Sequence, residues 1–307
     1  MPKAYAYTRY GGPDTETFVH VDGPSPGPGQ ILAAVRAAGV NPVDGKLRRS
    51  MRGPGDTGEP EFPIVLGNEA TGVGEEVGEG VTGFAAGDAV FGNTVAGGYA
   101  EYAPLPAAGS ARLPQKLSFT DAAVLPVAAA TAYDGIRRLG LPAGATLLVT
   151  GAGGGAGVAA VRIARAFGLR VIGTASEGKK EFVEQLGAVH VAPGAELAAR
   201  VRAVAPEGVD GVYDLVGGEA LQEAATLLTD RSKLLSAGAP REIERLGGAR
   251  VARARTAAVL DEVARLVVHG DLDPHVGRTF PSERAGEALR AVEEGHVRGK
   301  LVIEAGA

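Results

Sequence analysis

A glycine-rich segment between a short apolar run and a helical pattern is the strongest chemical signal in the sequence. Residues 147–150 (LLVT) lead directly into residues 151–157 (GAGGGAG). Glycines let a bound group approach the backbone closely, and the free N–H groups and the dipole of a helix N-terminus attract negative charge. The strand, the turn and a helix beginning at Gly157 together predict a phosphate-binding site.

Two frames, that is, two alignments of a GxGxxG-type pattern, fit this segment. One uses Gly151, Gly153 and Ala156, and the other uses Ala152, Gly154 and Gly157. We prefer the second frame because its last glycine would let the helix pack closely on the strand. A flexible loop without a ligand is the alternative, and the flanking strand and helix disfavour it. The phosphate-binding residues predicted by this frame are Ala152, Gly154, Gly155, Ala156 and Gly157.

The end of the next predicted strand, Val171–Thr174, bears on the choice of dinucleotide. An acidic residue there binds the ribose 2′-hydroxyl of NAD, whereas NADP requires that the acid be absent and that cations lie nearby. Ser176, Lys179 and Lys180 follow the strand, which predicts NADPH as the cofactor. Glu177 is a complication, because a small shift of the strand end would bring its carboxylate to the ribose. The lysine pair alone could equally be the solvated start of a helix.

The elements that position these residues fall into two regions. Up to about residue 120, short alternating or β-branched runs interrupted by Gly and Pro predict an irregular β domain. From about 120 to 240, strands alternate with helices, which predicts a parallel sheet and an α/β fold. The runs of the first region are Gln30–Val35, Thr71–Val77, Ala89–Phe91 and Tyr99–Ala103. Predicted later are strands Leu147–Thr150, Val171–Thr174, His190–Ala192, Gly211–Val216, Lys233–Ala237 and Lys300–Ile303, a helix on Val158, Val161, Ala164 and Phe167, and helices near Thr256–His269 and Glu283–Glu294.

Composition restricts the class of protein. The 307 residues, 45% of them hydrophobic, suggest about two domains. The absence of cysteine excludes disulfides, thiolate metal sites and a cysteine nucleophile. A net charge of −5 provides no basic surface for nucleic acid, and no apolar stretch reaches the length of a membrane span. The N-terminus has no signal-peptide pattern, so we expect a cytoplasmic protein with small-molecule partners and no membrane partner.

Seven further segments carry a family resemblance. They are residues 39–46 (GVNPVDGK), 62–70 (FPIVLGNEA), 87–92 (GDAVFG), 97–102 (GGYAEY), 125–133 (LPVAAATAY), 213–218 (YDLVGG) and 299–302 (GKLV). With the glycine-rich segment, the chain resembles the zinc-free medium-chain dehydrogenase/reductases nearly from end to end, specifically the NADPH:quinone reductase and zeta-crystallin group.

The resemblance implies a fold and an arrangement of sites. It implies a GroES-like catalytic β domain of residues 1–118 and 256–307, with a Rossmann domain of doubly wound parallel sheet, residues 119–255, that binds NADP. The active site would lie in the cleft between them, and the protein would be a homodimer. The resemblance also assigns to the cofactor site Thr131, Thr174, Val216 and Gly238.

The resemblance identifies the positions at which zinc-dependent relatives bind their metal. Zinc-dependent relatives hold their catalytic metal with a Cys, the His of a Gly-His-Glu motif and a second Cys; in this chain those positions are Asn41, Asn68 and Val127. We therefore predict no metal site, and no histidine has metal-ligand spacing. The histidines are His20, His190, His269, His275 and His296.

The reaction type follows from the missing ligands. Zinc supplies several kcal/mol of charge stabilisation to alcohol oxidation and simple carbonyl reduction. Hydride addition to a quinone or an α,β-unsaturated carbonyl instead leaves a delocalised phenolate or enolate, which a few hydrogen-bond donors can stabilise. We therefore expect a conjugated substrate.

Four residues are candidates for the catalytic site by the resemblance. Asn41 is predicted to contact the substrate carbonyl, although an Asn before Pro also caps turns. Asp44 lies in the same turn, and Lys46, where relatives often have Tyr, could pair with Asp44 or line the entrance. Tyr99 stands at a pocket position of the family, as does Thr131, and either could serve packing alone.

Three functions remain open at this point. The first is an NADPH-dependent quinone or enone reductase. The second is an enoyl reductase acting on a thioester or a cyclic polyketide-like intermediate. The third is a non-catalytic, cofactor-binding structural protein.

Overall fold

The computed structural model describes residues 1–49, 60–295 and 297–305. The chain divides into two compact units, which we call the catalytic unit and the nucleotide unit after the roles predicted for them from the sequence. The catalytic unit comprises Met1–Val127, Arg255–Ala264 and Val276–Ala307, and the nucleotide unit comprises Ala128–Ala254 and Arg265–His275. No helix in the described residues is both long and apolar enough to cross a bilayer.

The helices and strands change in character along the chain, from mainly strands to strands alternating with helices. Up to residue 127 they are β1 (Lys3–Tyr7), β2 (Glu16–His20), β3 (Gln30–Val40), α1 (Pro42–Arg48), β4 (Ile64–Val65), β5 (Glu69–Val77), β6 (Ala89–Asn93), β7 (Tyr102–Pro106), β8 (Ser110–Arg112) and α2 (Phe119–Ala122). From 128 to 254 they are α3 (Ala130–Leu139), β9 (Thr146–Val149), α4 (Gly155–Ala166), β10 (Arg170–Thr174), α5 (Lys180–Gln185), β11 (Val189–Val191), α6 (Leu197–Val204), β12 (Gly211–Asp214), α7 (Gly218–Ala225), β13 (Leu234–Ser236), α8 (Pro240–Arg245) and β14 (Ala249–Arg250). The remainder are α9 (Ala257–His269), β15 (Val276–Pro281), α10 (Ala285–Glu293) and β16 (Lys300–Glu304).

Two sheets build the catalytic unit. The smaller has the order β2-β1-β4, and the larger has the order β15-β16-β3-β5-β6-β8, with β7 also paired to β3. Strand β16 runs antiparallel to β3, with Leu301 opposite Val40 and Glu304 opposite Ala37. The last strand therefore completes the N-terminal sheet, as expected of a GroES-like domain. Its core contains Ile31, Val90, Leu105, Phe280, Leu289 and Ile303.

The nucleotide unit contains one parallel sheet, and it confirms the predicted Rossmann fold. The strand order is β11-β10-β9-β12-β13-β14, and every neighbouring pair is parallel. The order reverses at β9, whose neighbours are β10 and β12. In such sheets the carboxyl ends of the strands on either side of this reversal form the ligand-binding crevice.

Two predicted boundaries in the nucleotide unit were wrong, for local reasons. Helix α4 begins at Gly155, two residues before the predicted start, because Gly154 is the extended N-cap and its carbonyl accepts the N–H of Val158 at 2.8 Å. Strand β12 ends at Asp214 instead of Val216, because the Asp214 carboxylate accepts the N–H groups of Val216 and Gly217 and turns the chain.

Four strands of the catalytic unit also differ from prediction by two residues or more, since β5 begins two residues early at Glu69 and β6 ends two residues late at Asn93, and β3 and β7 differ more. Strand β3 continues to Val40, because its second half pairs with β16, a partner far away in sequence. Strand β7 begins at Tyr102 instead of Tyr99. Gly97 has a φ of +94° and turns the chain just before Tyr99, whose N–H then binds the carbonyl of Leu66 at 2.9 Å.

Candidate functional site

The glycine loop, residues 151–157, is packed directly against the start of α4. Gly151 has a φ of +69°, and its N–H binds Thr174 Oγ1 at 3.2 Å. A Cβ atom added to Gly157 would lie 2.1 Å from the Gly151 carbonyl oxygen and 2.7 Å from the Cα of Ala152. Only glycine fits at 157, the last position of the preferred frame.

The accessible part of this loop is suited to an anion. Gly154, Gly155 and Ala156 are half-buried, while Ala152 and Gly157 are buried beneath them. The first N–H groups of a helix have no intrahelical acceptor, and they carry the positive end of its dipole. Since α4 begins at Gly155, Gly155 and Ala156 present such N–H groups at the surface of the loop, while the N–H of Gly154 donates to the Gly151 carbonyl at 3.1 Å.

Asp214 connects three strand ends at the edge of the sheet beside this loop. Its buried carboxylate accepts the hydroxyls of Thr150 and Ser236, each at 2.6 Å, and so joins the ends of β9, β12 and β13. The predicted cofactor residues Val216 and Gly238 follow β12 and β13 at this edge. Val216 is 58% exposed, and a Cβ on Gly151 would lie 3.0 Å from it. A Cβ on Gly238 would meet the backbone of Leu215 at 2.9 Å.

The residues predicted to select the dinucleotide cluster at the end of β10. Thr174 is buried, Ser176 is exposed, and Lys180 begins α5 with its side chain exposed. Lys179 is half-buried and crosses the glycine loop, since a Cβ on Gly153 would lie 2.7 Å from its Cδ. Glu177 is exposed beside them.

Thr131 lies within the nucleotide unit on α3. It is buried, and its carbonyl accepts the Tyr213 hydroxyl at 3.0 Å. Gly135, one turn later, makes room for the Tyr213 ring, because a Cβ there would lie 2.3 Å from the ring.

Asp44 is the centre of the polar site in the catalytic unit. It is completely buried, and its Oδ2 accepts the Tyr99 hydroxyl at 2.7 Å and the Asn41 N–H at 2.8 Å. Its Oδ1 accepts Asn68 Nδ2 at 2.5 Å. Burial raises the pKa of Asp44 to about 6, and these hydrogen bonds, with the charge of Lys300, limit the rise.

Tyr99 is the donor that supports this carboxylate. Its ring is buried, and burial together with the negative charge of Asp44 holds the pKa of the phenol well above its ordinary value. The hydroxyl therefore stays protonated and donates to Asp44. Lys46 lies on the same helix but is exposed, since residues two positions apart point to different sides of a helix.

A buried ion pair supports the other side of Asn41. Lys300 Nζ donates to Glu69 Oε1 at 2.9 Å and to Asn41 Oδ1 at 2.6 Å. Asn41 Nδ2 donates to Glu69 Oε1 at 2.8 Å and to the Gly39 carbonyl at 3.3 Å. Both ends of the Asn41 amide are thus engaged by the protein itself.

The positions aligned with zinc ligands are held together by two acids. Glu69 accepts the Asn41 amide through Oε1 and the Val127 N–H through Oε2, at 2.7 Å. Asp44 accepts the Asn68 amide and the Asn41 N–H. Within the described residues no group of three or more His, Cys, Asp or Glu side chains could hold a metal ion. His296 lies outside the described residues.

A cavity of about 380 Å³ opens beside Asp44 within the catalytic unit. Its polar wall is formed by Asp44, Asn68 and Thr94. The Thr94 hydroxyl donates to the Gly67 carbonyl at 2.7 Å. The remaining lining is mainly apolar or aromatic and comprises Tyr7, Leu47, Pro63, Ile64, Val65, Leu66, Gly67, Val95, Ala96 and Gly97.

Tyr7, which lines this cavity, belongs to a cluster of three aromatic rings. Tyr7 lies 5.9 Å from Phe62, and Tyr10 lies 5.4 Å from Phe62 in an edge-on arrangement, as measured between ring centroids. The ring of Tyr7 can pack edge-on or offset-stacked against an aromatic ligand.

Sequence reasoning missed three polar members of this site. No role was predicted for Glu69 or Lys300, which lie in family motifs, and Asn68 was predicted only to lack the zinc ligand of that position. Lys300 begins a β-branched run, which predicts a strand but not a lysine that is 4% exposed. The Asn-Glu pair at 68–69 was the available signal, because an amide beside an acid in an apolar segment implies buried partners.

Known dehydrogenases and reductases resemble the chain over nearly its whole length. Residues 27–115 match the alcohol dehydrogenase GroES-like domain family, and residues 186–303 match the zinc-binding dehydrogenase family. Human quinone oxidoreductase is 30% identical over 326 residues, covering 99% of this chain and 98% of that protein.

Two further matches are a segment of a much longer protein and a solved structure. The polyketide synthase GfsB of Streptomyces halstedii is 35% identical over 292 residues, which cover 90% of this chain and 5% of the synthase. A mycobacterial protein solved in complex with NADPH superposes with a TM-score of 0.87 at 27% identity, covering 99% of this chain and 100% of that one.

Proposed function

The chain belongs to the quinone oxidoreductase group of the medium-chain dehydrogenase/reductase family, and we propose that it transfers hydride from NADPH to a quinone or an α,β-unsaturated carbonyl without zinc. The observation that carries this proposal is the hydrogen-bonded cluster at the zinc-ligand positions. Asn41, Asn68 and Val127 offer two amides and an aliphatic side chain, whereas the ligands of zinc in proteins are thiolates, imidazoles and carboxylates. The amide of Asn68, which lines the cavity, is the N–H donor proposed for the delocalised oxyanion of a conjugated substrate.

The glycine loop supports a dinucleotide as cofactor. Its half-buried N–H groups at the start of α4 would bind the pyrophosphate, and Gly157 gives the close helix packing that this requires. Thr131, Thr174, Val216 and Gly238 are proposed to complete the site. When bound, NADPH supplies the hydride. The protein's part is to orient the nicotinamide and to exclude water.

Selection of NADPH over NADH is proposed to rest on the end of β10. No acid ends this strand, and the exposed Ser176 and Lys180, with Lys179 across the loop, provide a hydroxyl and two cations for a 2′-phosphate. Glu177 is exposed at the same place, and its charge opposes that preference.

The cavity of the catalytic unit supports a conjugated substrate. Its volume of about 380 Å³ lies within the range of small-molecule sites. Tyr7 gives it an aromatic wall, and Asn68 and Asp44 give it a polar one. We propose Asp44 and Tyr99 as part of the catalytic machinery. Asn41 is proposed to be a positioning residue, because its amide is engaged by Lys300 and Glu69, and Lys46 is proposed to lie near the entrance.

Two proposals about organisation follow from the family. Residues 1–118 and 256–307 are proposed to form the catalytic domain, and residues 119–255 the NADP-binding domain. A homodimer is the proposed assembly, and light scattering coupled to gel filtration tests it, since a molar mass near 31 kDa would contradict it.

An enoyl reductase is the second candidate function. The specific observation in its favour is the 35% identity to a segment of a polyketide synthase. A thioester enoyl group is also an α,β-unsaturated carbonyl, so the same donors would stabilise its enolate.

Steady-state NADPH oxidation against quinones, short enones and enoyl thioesters tests the proposal. We expect turnover of quinones or enones, with NADPH preferred to NADH. Turnover of thioesters alone would establish the second candidate, and no turnover with any acceptor would favour a non-catalytic protein. Zinc should be absent at stoichiometric levels by elemental analysis, and activity should survive chelation.

A further inference from the structure

Asn68 is the side chain that connects buried Asp44 to the cavity. Both side chains line the cavity, but Asp44 is 0% exposed, whereas Asn68 is half-buried. The amide nitrogen of Asn68 faces the carboxylate, 2.5 Å from Oδ1. Its amide oxygen has no hydrogen-bond partner among the described residues, which leaves it available to a molecule in the cavity.

The two oxygens of Asp44 differ in their partners. Oδ2 accepts the backbone N–H of Asn41 and the Tyr99 hydroxyl, at 2.8 and 2.7 Å. A backbone N–H can only donate, so it opposes a proton on Oδ2. Oδ1 is bonded to the side chain of Asn68, which can rotate. A proton taken up by Asp44 therefore resides on Oδ1 and points at Asn68.

Protonation of Asp44 reverses which end of the Asn68 amide must face the carboxyl group. An ionised carboxylate only accepts hydrogen bonds, and so it holds the amide nitrogen of Asn68 toward itself. A carboxyl O–H facing that nitrogen would set donor against donor. Half a turn of the amide removes the conflict, because its oxygen then accepts the carboxyl proton and its NH₂ group turns toward the cavity.

We propose that Asp44 and Asn68 form a protonation-controlled pair that decides whether the cavity offers a substrate oxygen an amide NH₂ donor or an amide carbonyl acceptor. This inference rests on the proposed function for the identity of the ligand. A quinone or enone oxygen accepts hydrogen bonds and binds the NH₂ group, which is exposed when Asp44 is protonated. The hydroxyl of a reduced product donates and binds the amide oxygen, which is exposed when Asp44 is ionised.

The charged surroundings of Asp44 place this change in an accessible pH range. Tyr99 faces Asp44 from the loop after β6 and stays protonated, while Lys300 faces it from β16. Glu69 on β5 and Glu16 on β2 act on Tyr99. Burial raises the pKa of Asp44, and the hydrogen bonds from Tyr99, Asn68 and Asn41 together with the charge of Lys300 lower it, so that it is about 6.

Side-chain NMR tests the pair without reference to activity. The chain has three asparagines, Asn41, Asn68 and Asn93, so protein labelled with ¹⁵N-asparagine gives three side-chain amides, and Asn68→Ala identifies the one from Asn68. We expect the Asn68 amide to shift between pH 4.5 and 8.5 with a midpoint near 6. The Asn41 amide, bound to Lys300 and Glu69, serves as the internal reference. An Asn68 amide that does not titrate overturns the inference.

Two variants assign the titration to Asp44. Asp44→Asn should abolish the transition of Asn68. Tyr99→Phe removes a hydrogen bond that lowers the pKa of Asp44, so the midpoint should move to higher pH. Thr94→Val is the matched control, because Thr94 lines the same cavity but donates to the Gly67 carbonyl, and its midpoint should not move. A transition that persists in Asp44→Asn contradicts the pair.

Steady-state kinetics test whether the Asn68 amide binds the substrate oxygen. The KM for 1,4-naphthoquinone should rise about tenfold from pH 5 to pH 7.5, the effect of losing roughly one hydrogen bond, and the rise should be absent in Asn68→Ala. A wild-type KM independent of pH, in an active enzyme whose Asn68 amide titrates, overturns the proposed role in substrate binding. A protein that reduces no acceptor refutes the proposed function, whereas the amide titration still decides the Asp44–Asn68 pair.

Discussion

The ammonium of Lys300 lies 2.9 Å from Oε1 of Glu69, and the two side chains are 5% and 0% exposed. The ammonium has three hydrogens, and its three acceptors are Glu69, Asn41 and the Val40 carbonyl. The attraction within a buried ion pair offsets the free-energy cost of desolvation only when the remaining hydrogen bonds of both groups are made. Lys300 thus links the last strand, β16, to β3 and β5 at the base of the site.

Removing this ammonium should destabilise the protein strongly. Lys300→Met leaves the Glu69 carboxylate buried without a countercharge, which costs about 3–5 kcal/mol in the free energy of unfolding. Urea denaturation measures the change. Arg9→Met is the matched control, because its pair with Asp14 is 63% and 70% exposed and should contribute less than about 1 kcal/mol. Adding Glu69→Gln to Lys300→Met should recover part of the lost stability. Equal losses of unfolding free energy in Lys300→Met and Arg9→Met would contradict this expectation.

Gly157 should tolerate no side chain. In Gly157→Ala the new methyl would lie 2.1 Å from the Gly151 carbonyl oxygen, so the loop or the helix must move. We expect a melting temperature several degrees lower and weaker NADPH binding. In Gly154→Ala the corresponding distance is 3.6 Å, an ordinary contact, so the melting temperature should change little. Thermal denaturation and NADPH fluorescence measure both effects, and equal melting temperatures for the two variants would refute the packing argument.

The lysines after β10 should govern the choice of cofactor. Lys179→Met keeps the aliphatic chain over Gly153 but removes the charge, and Lys180→Ala removes the neighbouring one. Each should raise the KM for NADPH about tenfold and leave that for NADH nearly unchanged, because only NADPH carries the 2′-phosphate. Arg170→Ala removes an exposed cation at the opposite end of β10 and should affect neither. Equal losses for both cofactors would argue against this assignment.

Asp44 should make the protein less stable as the pH rises. Its folded-state pKa of about 6 exceeds its ordinary value of 3.8, so the folded protein binds this proton more tightly than the unfolded chain does. The contribution of Asp44 is therefore most favourable below about pH 4 and is lost as the pH rises through 6, with a total change on the order of 3 kcal/mol. Denaturation of wild type and Asp44→Asn between pH 4 and 7.5 isolates it. The difference between their unfolding free energies should change by this amount, whereas parallel curves would contradict it.

Much of the fold was predictable from local patterns. Strand-length apolar runs alternating with helical periodicity predicted the parallel sheet, and Val158, Val161 and Ala164 are indeed all fully buried on α4. The predicted elements are wrong mainly at their ends, and several elements, among them β1, β2 and α1, were not predicted. The Asp214 carboxylate ends β12, and pairing with β16 extends β3, and neither cause is visible in a short window of sequence.

The sequence by itself determined the two kinds of unit, the glycine loop and the lack of zinc ligands at Asn41, Asn68 and Val127, because these depend on residue types and on neighbours along the chain. Only the tertiary structure decided how the polar residues are used. Lys300 meets Asn41 across 259 positions of sequence, and Tyr99 meets Asp44 across 55. Burial and hydrogen bonds between such distant residues set the pKa of Asp44, engage the Asn41 amide and leave Asn68 facing the cavity. Those interactions depend on the packing of strands, which no local spacing encodes.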